Sequence, residues 1–88
     1  MQEKIDKILE YLNRVRVRCT YGAVAEVLGI NTRSVGRYLG ERRPEASWIV
    51  NAKTHEPTDY EAIEKHPELY RTGRVIKAAE VLRRNLGL

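Results

Sequence analysis

The chain has little of what secreted domains and enzymes are commonly built on. One cysteine, Cys19, stands in 88 residues, so no internal disulfide closes the fold, and the two histidines, His55 and His66, do not complete a Cys/His zinc site of the usual spacing. These absences point to a reducing, cytoplasmic setting with no structural metal and no cofactor. Phenylalanine is missing and Trp48 is the only tryptophan. A chain this short buries only roughly 60% of its unfolded surface, so a thin core and no deep catalytic pocket are expected. No stretch approaches the ~20 apolar residues of a membrane span, and no catalytic triad or glycine-rich phosphate loop is recognisable. The expectation is one small binding module over residues 1–88, not an enzyme.

Negative charge is scarce in one region. The formal net charge is +4, but residues 1–13 hold Lys4 and Lys7 against Glu3, Asp6 and Glu10, and residues 44–88 hold seven basic against seven acidic side chains. Residues 14–43 carry seven arginines, at 14, 16, 18, 33, 37, 42 and 43, against Glu26 and Glu41, a balance of +5. Arginine's flat fork suits phosphate and base edges better than a lysine point charge does. A solvated face that aids solubility is the alternative for the same charge.

Periodicity supplies the elements. Ile5, Ile8, Leu9, Leu12 and Val15 recur at spacings of three and four, which predicts an amphipathic helix. Arg14 to Cys19 alternates charged and apolar residues, which predicts an extended piece with Val15 and Val17 facing in and the arginines out. Thr20 can cap a helix that ends at Gly29, with Tyr21, Val24, Ala25 and Leu28 as its stripe. Asn31 or Thr32 then caps a helix from about Arg33 to Glu41, with Val35 and Leu39 facing in. Two short helices joined by a turn of three or four residues containing glycine is the signature of a helix-turn-helix. Along the outer side of the second helix run Arg33, Gly36, Arg37 and Gly40. Glycine inside a helix costs about 1 kcal/mol relative to alanine, so something is expected to approach that backbone closely, either a phosphate backbone or another helix of the domain.

Further along, residues 47–51 are rich in β-formers and residues 52–58 are turn-like, which predicts a strand and a wing-like loop. Residues 59–70 are polar and acidic, with helical turns expected near 60–65 and after Pro67, and His66 as a turn residue or local cap. Thr72 can cap a last helix with Val75, Ala78, Ala79, Leu82 and Leu86 as its stripe. The fold class expected is mainly α, a winged helix-turn-helix with a minimal β component.

Between Thr20 and Gly40 the sequence resembles the DNA-binding domain of alkylguanine-DNA alkyltransferases and the related alkyltransferase-like proteins. The residues that carry the likeness are Thr20-Tyr21-Gly22, Ala25, Leu28-Gly29 and Arg33-Ser34-Val35-Gly36, with a looser match to Asn51-Ala52. The resemblance implies a winged helix-turn-helix on the minor groove of double-stranded DNA that rotates a nucleotide out of the stack to sense damage, as DNA repair requires. Tyr21 would crowd the phosphate of the extruded nucleotide and Arg33 would fill the gap, offsetting part of the few kcal/mol that flipping costs. Tyr21 as a core tyrosine, and Arg33 as a simple phosphate contact, are the plainer readings.

The chain departs from the family where the chemistry sits. The acceptor motif Pro-Cys-His-Arg falls on Glu45, Ala46, Ser47 and Trp48, or its cysteine on Glu45 if Pro44 is matched, and neither alignment supplies a thiol. Cys19 is expected to be a small buried residue. Trp48 has two readings, a base-stacking wall of a pocket and the core anchor of a small domain. The expected DNA-binding residues are therefore Thr20, Tyr21, Arg33, Ser34, Gly36, Arg37, Gly40, Arg42 and Arg43, with no catalytic residue. Two other functions fit the same pattern. One is a module that docks an acidic protein partner; the other is a regulator reading the major groove, with Val75, Ala79 and Leu82 as its dimer surface.

Overall fold

In the computed structural model, which describes residues 1–87, the chain runs α1 (Gln2–Val15), β1 (Arg18–Thr20), α2 (Tyr21–Leu28), α3 (Thr32–Leu39), β2 (Ile49–Val50), β3 (Val75–Ile76) and α4 (Ala79–Leu86). Single 3-10 turns lie at Pro44–Ala46 and Ala62–Glu64. The molecule is mainly helical with a small sheet, as the sequence led one to expect. No helix among the described residues is long and apolar enough to cross a membrane.

The first three helices form for the local reasons their sequence suggests. Ile5, Ile8, Leu9 and Leu12 of α1 are buried on one face. Val15 is exposed instead, because the helix stops there: Arg16 turns left-handed at φ 60° and its N–H donates to the Leu12 carbonyl. Thr20 caps α2 by accepting from the Ala23 N–H at 3.2 Å, and Gly29 ends it at φ 70°. Asn31 caps α3 by accepting from the Arg33 N–H at 3.0 Å. The turn between α2 and α3 is thus three residues, Gly29 to Asn31. Val35 and Leu39 of α3 face the core, where α2 packs on α3 and α4.

The sheet departs most from expectation. Its order is β2-β1-β3 and both pairings are parallel, with Cys19 opposite Ile49 and Ile76, Thr20 opposite Val50, and Arg18 opposite Val75. None of these strands pairs as a hairpin. Long connections through α2 and α3 bring β2 back alongside β1 in the same direction, as parallel pairing requires. A central parallel strand is covered on both faces, so the alternation expected for residues 14–19 does not hold. Arg18, expected to point outward, is buried at 8% exposure in an all-buried strand. Its Nη1 donates to the His55 carbonyl and its Nη2 to the Thr72 carbonyl, both at 3.1 Å, and its guanidinium lies 5.4 Å from the Tyr70 ring.

The last helix is shorter than expected. Val75, assigned by spacing to its stripe, forms β3 with Ile76, and Thr72 does not cap the helix. Thr72 instead accepts from the Arg74 N–H at 3.1 Å in a local turn. Two β-branched residues beside an open edge of β1 pair with it, and α4 begins only at Ala79. Ala79 and Leu82 are buried, so the dimer surface expected from Val75, Ala79 and Leu82 is spent on the domain's own sheet and core.

Candidate nucleic-acid interface

The exposed side of α3 is built by its two ends. Asn31 fixes the first turn so that Arg33 projects from it, and one turn on Gly36 and Arg37 are exposed on the same helix. Among the described residues, neither Arg33 nor Arg37 has a side-chain hydrogen bond or an ion pair. A Cβ placed on Gly36 would meet nothing within 4 Å. No other helix of the domain therefore requires the glycine there. Gly40, expected inside the helix, is its C-cap at φ 72° and ψ −141°, a conformation that favours glycine for the backbone's own sake.

A cleft runs beside this helix. Its larger part, about 320 Å³, is bounded by Tyr21, Gly36, Gly40, Arg42, Asp59 and Tyr60. A shallower hollow of about 300 Å³ continues it past Arg33 and Thr32, sharing Tyr21, Gly36 and Thr58. Tyr21 thus sits at the middle of the cleft, half-buried against the core, and its hydroxyl oxygen accepts from the Thr58 N–H at 3.4 Å. The ring packs inward, as the plainer reading of Tyr21 has it, and the hydroxyl reaches the cleft. The opposite wall, Thr58 to Tyr60, did not figure among the expected site residues. Tyr60 is half-buried there, and burial pushes its hydroxyl pKa above the ordinary value. An aromatic inside an otherwise polar, acidic run is the signal that could have marked it.

The remaining expected residues divide. Arg42 is exposed and reaches Asp59 at 3.9 Å, an exposed pair worth little. Arg43 is turned back to the end of α3, where its Nη1 donates to the Leu39 carbonyl at 2.7 Å and the Glu41 carbonyl at 3.0 Å. It closes the helix and is not presented outward as Arg33 and Arg37 are. Ser34 is half-buried in the first turn of α3, its N–H donating to the Asn31 carbonyl. Thr20 is buried with its hydroxyl on Ala23, so its part is to hold the start of α2.

Trp48 is wholly buried, with Nε1 donating to Asn13 Oδ1 at 3.1 Å and the His66 ring 4.8 Å away. A base cannot reach it in this arrangement, which corrects the pocket-wall reading in favour of the core anchor. Ser47 beside it is equally buried, donating to the Pro44 carbonyl and accepting from the His66 N–H. Cys19 is buried in the central strand, and burial pushes its thiol up to about 12, so it is not a thiolate near neutral pH. Comparison with protein-family models, curated proteins and solved structures returned no match for this chain.

Proposed function

We propose that the chain is a non-enzymatic DNA-binding domain of the winged helix-turn-helix kind, related to the alkyltransferase-like proteins. In this reading α3 meets the duplex, and the loop 51–59 after β2 takes the place of the wing. The observation that carries it is Gly36: a helix-internal glycine that the domain's own packing does not require, set between two arginines without partners among the described residues. A glycine held at a helix surface is explained by a close approach from outside, and arginines on either side select a polyanion. Arg33 and Arg37 contact phosphates, and Arg42 joins them once it leaves Asp59. The cleft between Tyr21 and Tyr60 would take a displaced base against the Tyr21 hydroxyl and Tyr60, with Arg33 beside it to fill the vacated place in the stack. In this reading the domain senses damaged or distorted DNA by nucleotide flipping.

The test is a titration of intact, mismatched and alkylated duplexes at two salt concentrations. Affinity should fall steeply with salt, and Arg33→Ala with Arg37→Ala should lower the slope of log K against log salt by about 2. Flipping adds tighter binding to the mismatched or alkylated duplex and a fluorescence rise from a base analogue at that position. Absence of duplex affinity at low salt sinks the proposal and favours an acidic protein partner. Unchanged binding and fluorescence in Tyr21→Phe and Arg33→Ala remove the flipping step alone.

A further inference from the structure

Not all of the arginine excess lies on α3. Gln2, at the start of α1, donates from Nε2 to the Tyr38 carbonyl near the end of α3. The other end of α1 lies about 20 Å further along the helix axis, at 1.5 Å per residue. There Arg14, Arg16, Arg71 and Thr72, with Val15, line a hollow of about 380 Å³. Its arginines come from chain segments more than fifty residues apart, so their meeting is a product of the fold and not of local sequence.

The local charge is left unbalanced. Among the described residues Glu68 is the one acid in ion-pair range, and a single oxygen, Oε2, serves both Arg71 at 3.0 Å and Arg16 at 3.6 Å. Arg14 has no ion pair among the described residues; it lies 5.8 Å from the Tyr11 ring and is exposed. Three guanidinium groups against one carboxylate leave two positive charges facing one opening. Thr72 adds a donor: its Oγ1 already accepts from the Arg74 N–H, which leaves the hydroxyl hydrogen for a ligand. Arg16 occupies a left-handed backbone position, φ 60° and ψ 44°, where glycine is favoured. An arginine there forgoes stability at a helix end, while it lines this hollow with its guanidinium beside His66 Nε2 at 2.8 Å and Glu68 at 3.6 Å.

We infer that Arg14, Arg16 and Arg71, with the Thr72 hydroxyl, form a second phosphate-binding site that holds the backbone of another nucleic-acid segment while α3 engages the first. Arginine forks bind phosphate oxygens in pairs, and a hydroxyl donor completes a tetrahedral oxyanion's contacts. The distance along α1 separates the two sites too widely for one phosphate group to touch both. The ligand class rests on the function proposed for α3, but the residues and the geometry are separate from it.

Arginine Nε–Hε signals in NMR spectra of the intact chain read the two sites independently. Inorganic pyrophosphate should shift Arg14, Arg16 and Arg71 saturably, in the unaltered chain and in the variant with Arg33→Ala and Arg37→Ala. A duplex of about one helical turn should bind twice per chain, and once after Arg16→Gly. That substitution suits the left-handed position, so an unchanged or raised melting temperature shows that the fold is kept. If neither probe moves Arg14, Arg16 and Arg71, or if Arg16→Gly leaves the stoichiometry at two, the second site is wrong while the α3 reading stands. If the duplex moves these arginines and leaves Arg33 and Arg37 unmoved, the second site holds and the α3 reading falls.

Discussion

The outer side of α3 and the segment from Glu56 to Thr72 are both rich in charge, and they use it in opposite ways. In the later segment Lys65 meets Glu56 at 2.9 Å, the Tyr70 hydroxyl donates to the same carboxylate, and Arg71 meets Glu68. The pairing holds Glu56 below its ordinary pKa against the effect of its burial, and holds Lys65 above its own. Arg18 reaches across from β1 to the carbonyls of His55, just before this segment, and Thr72, at its end. On α3, Arg33 and Arg37 have no such partners among the described residues. Charge satisfied within the fold does structural work, and charge left over is open to a partner.

That contrast breaks most visibly at Arg18. Replacing it by leucine strips two part-buried carbonyls of charged donors, each hydrogen bond worth roughly 1.5–3 kcal/mol, and should cost about 3 kcal/mol in chemical denaturation. One nitrogen, Nε, has no partner among the described residues, which keeps the expected loss from being larger. The variant with Arg33→Ala and Arg37→Ala should keep the unaltered denaturation midpoint. A midpoint as low as that of Arg18→Leu would mean that the α3 arginines also serve the fold.

Gly36 sharpens the same comparison with a smaller effect. Gly36→Ala should stabilise the chain by about 0.5–1 kcal/mol, since an exposed helix interior prefers alanine and a Cβ there meets open space. Duplex affinity should fall by about tenfold or more if a phosphate backbone packs against that surface, a loss of about 1.4 kcal/mol. Stability and binding moving in opposite directions is an outcome that a purely structural glycine cannot produce. Equal or improved binding by Gly36→Ala would remove the main support for α3 as the contact.

How far the sequence reveals these features depends on how local their causes are. The caps at Thr20 and Asn31 and the left-handed Gly29 are written within a few residues of where they act, and they come out as expected. Arg33, Gly36 and Arg37 are legible as a group because helical spacing alone brings them to one side. Arg18 is not, because its burial depends on carbonyls 37 and 54 residues away. Val75 fits a helical stripe by spacing, and only the edge of β1 makes it, with Ile76, a strand. The wall of the cleft at Thr58 to Tyr60 is hidden for the same reason. The +5 of residues 14–43 reads as one basic region in sequence, yet the fold sends Arg14 and Arg16 to one end of α1, Arg18 to the core, and Arg33 and Arg37 to α3.

The smallest expected effect concerns His66, a ring of the paired region that cannot satisfy both of its partners. The ring faces two donors, the Glu68 N–H on Nδ1 at 3.0 Å and Arg16 Nη1 beside Nε2 at 2.8 Å. A neutral imidazole has one acceptor nitrogen and so can serve one of them; a protonated ring can serve neither. Burial against Trp48 and Ser47, and then the Arg16 charge, hold the His66 pKa below its ordinary value of 6.5, opposed by the carboxylates of Glu68 and Glu45. A histidine whose pKa is lowered by folding contributes stability that is present above pH 6.5 and is lost as pH falls from there toward the folded value, because the unfolded chain takes up the proton first. The carboxylates of Glu56 and Glu68, held below their ordinary range, give up their contribution only at lower pH. Melting temperature should therefore decline between pH 7 and pH 5.5 in the unaltered chain and stay flatter over that window in His66→Gln. Identical slopes in the two proteins would show that the ring adapts to its proton, by turning away from Arg16, without loss to the fold.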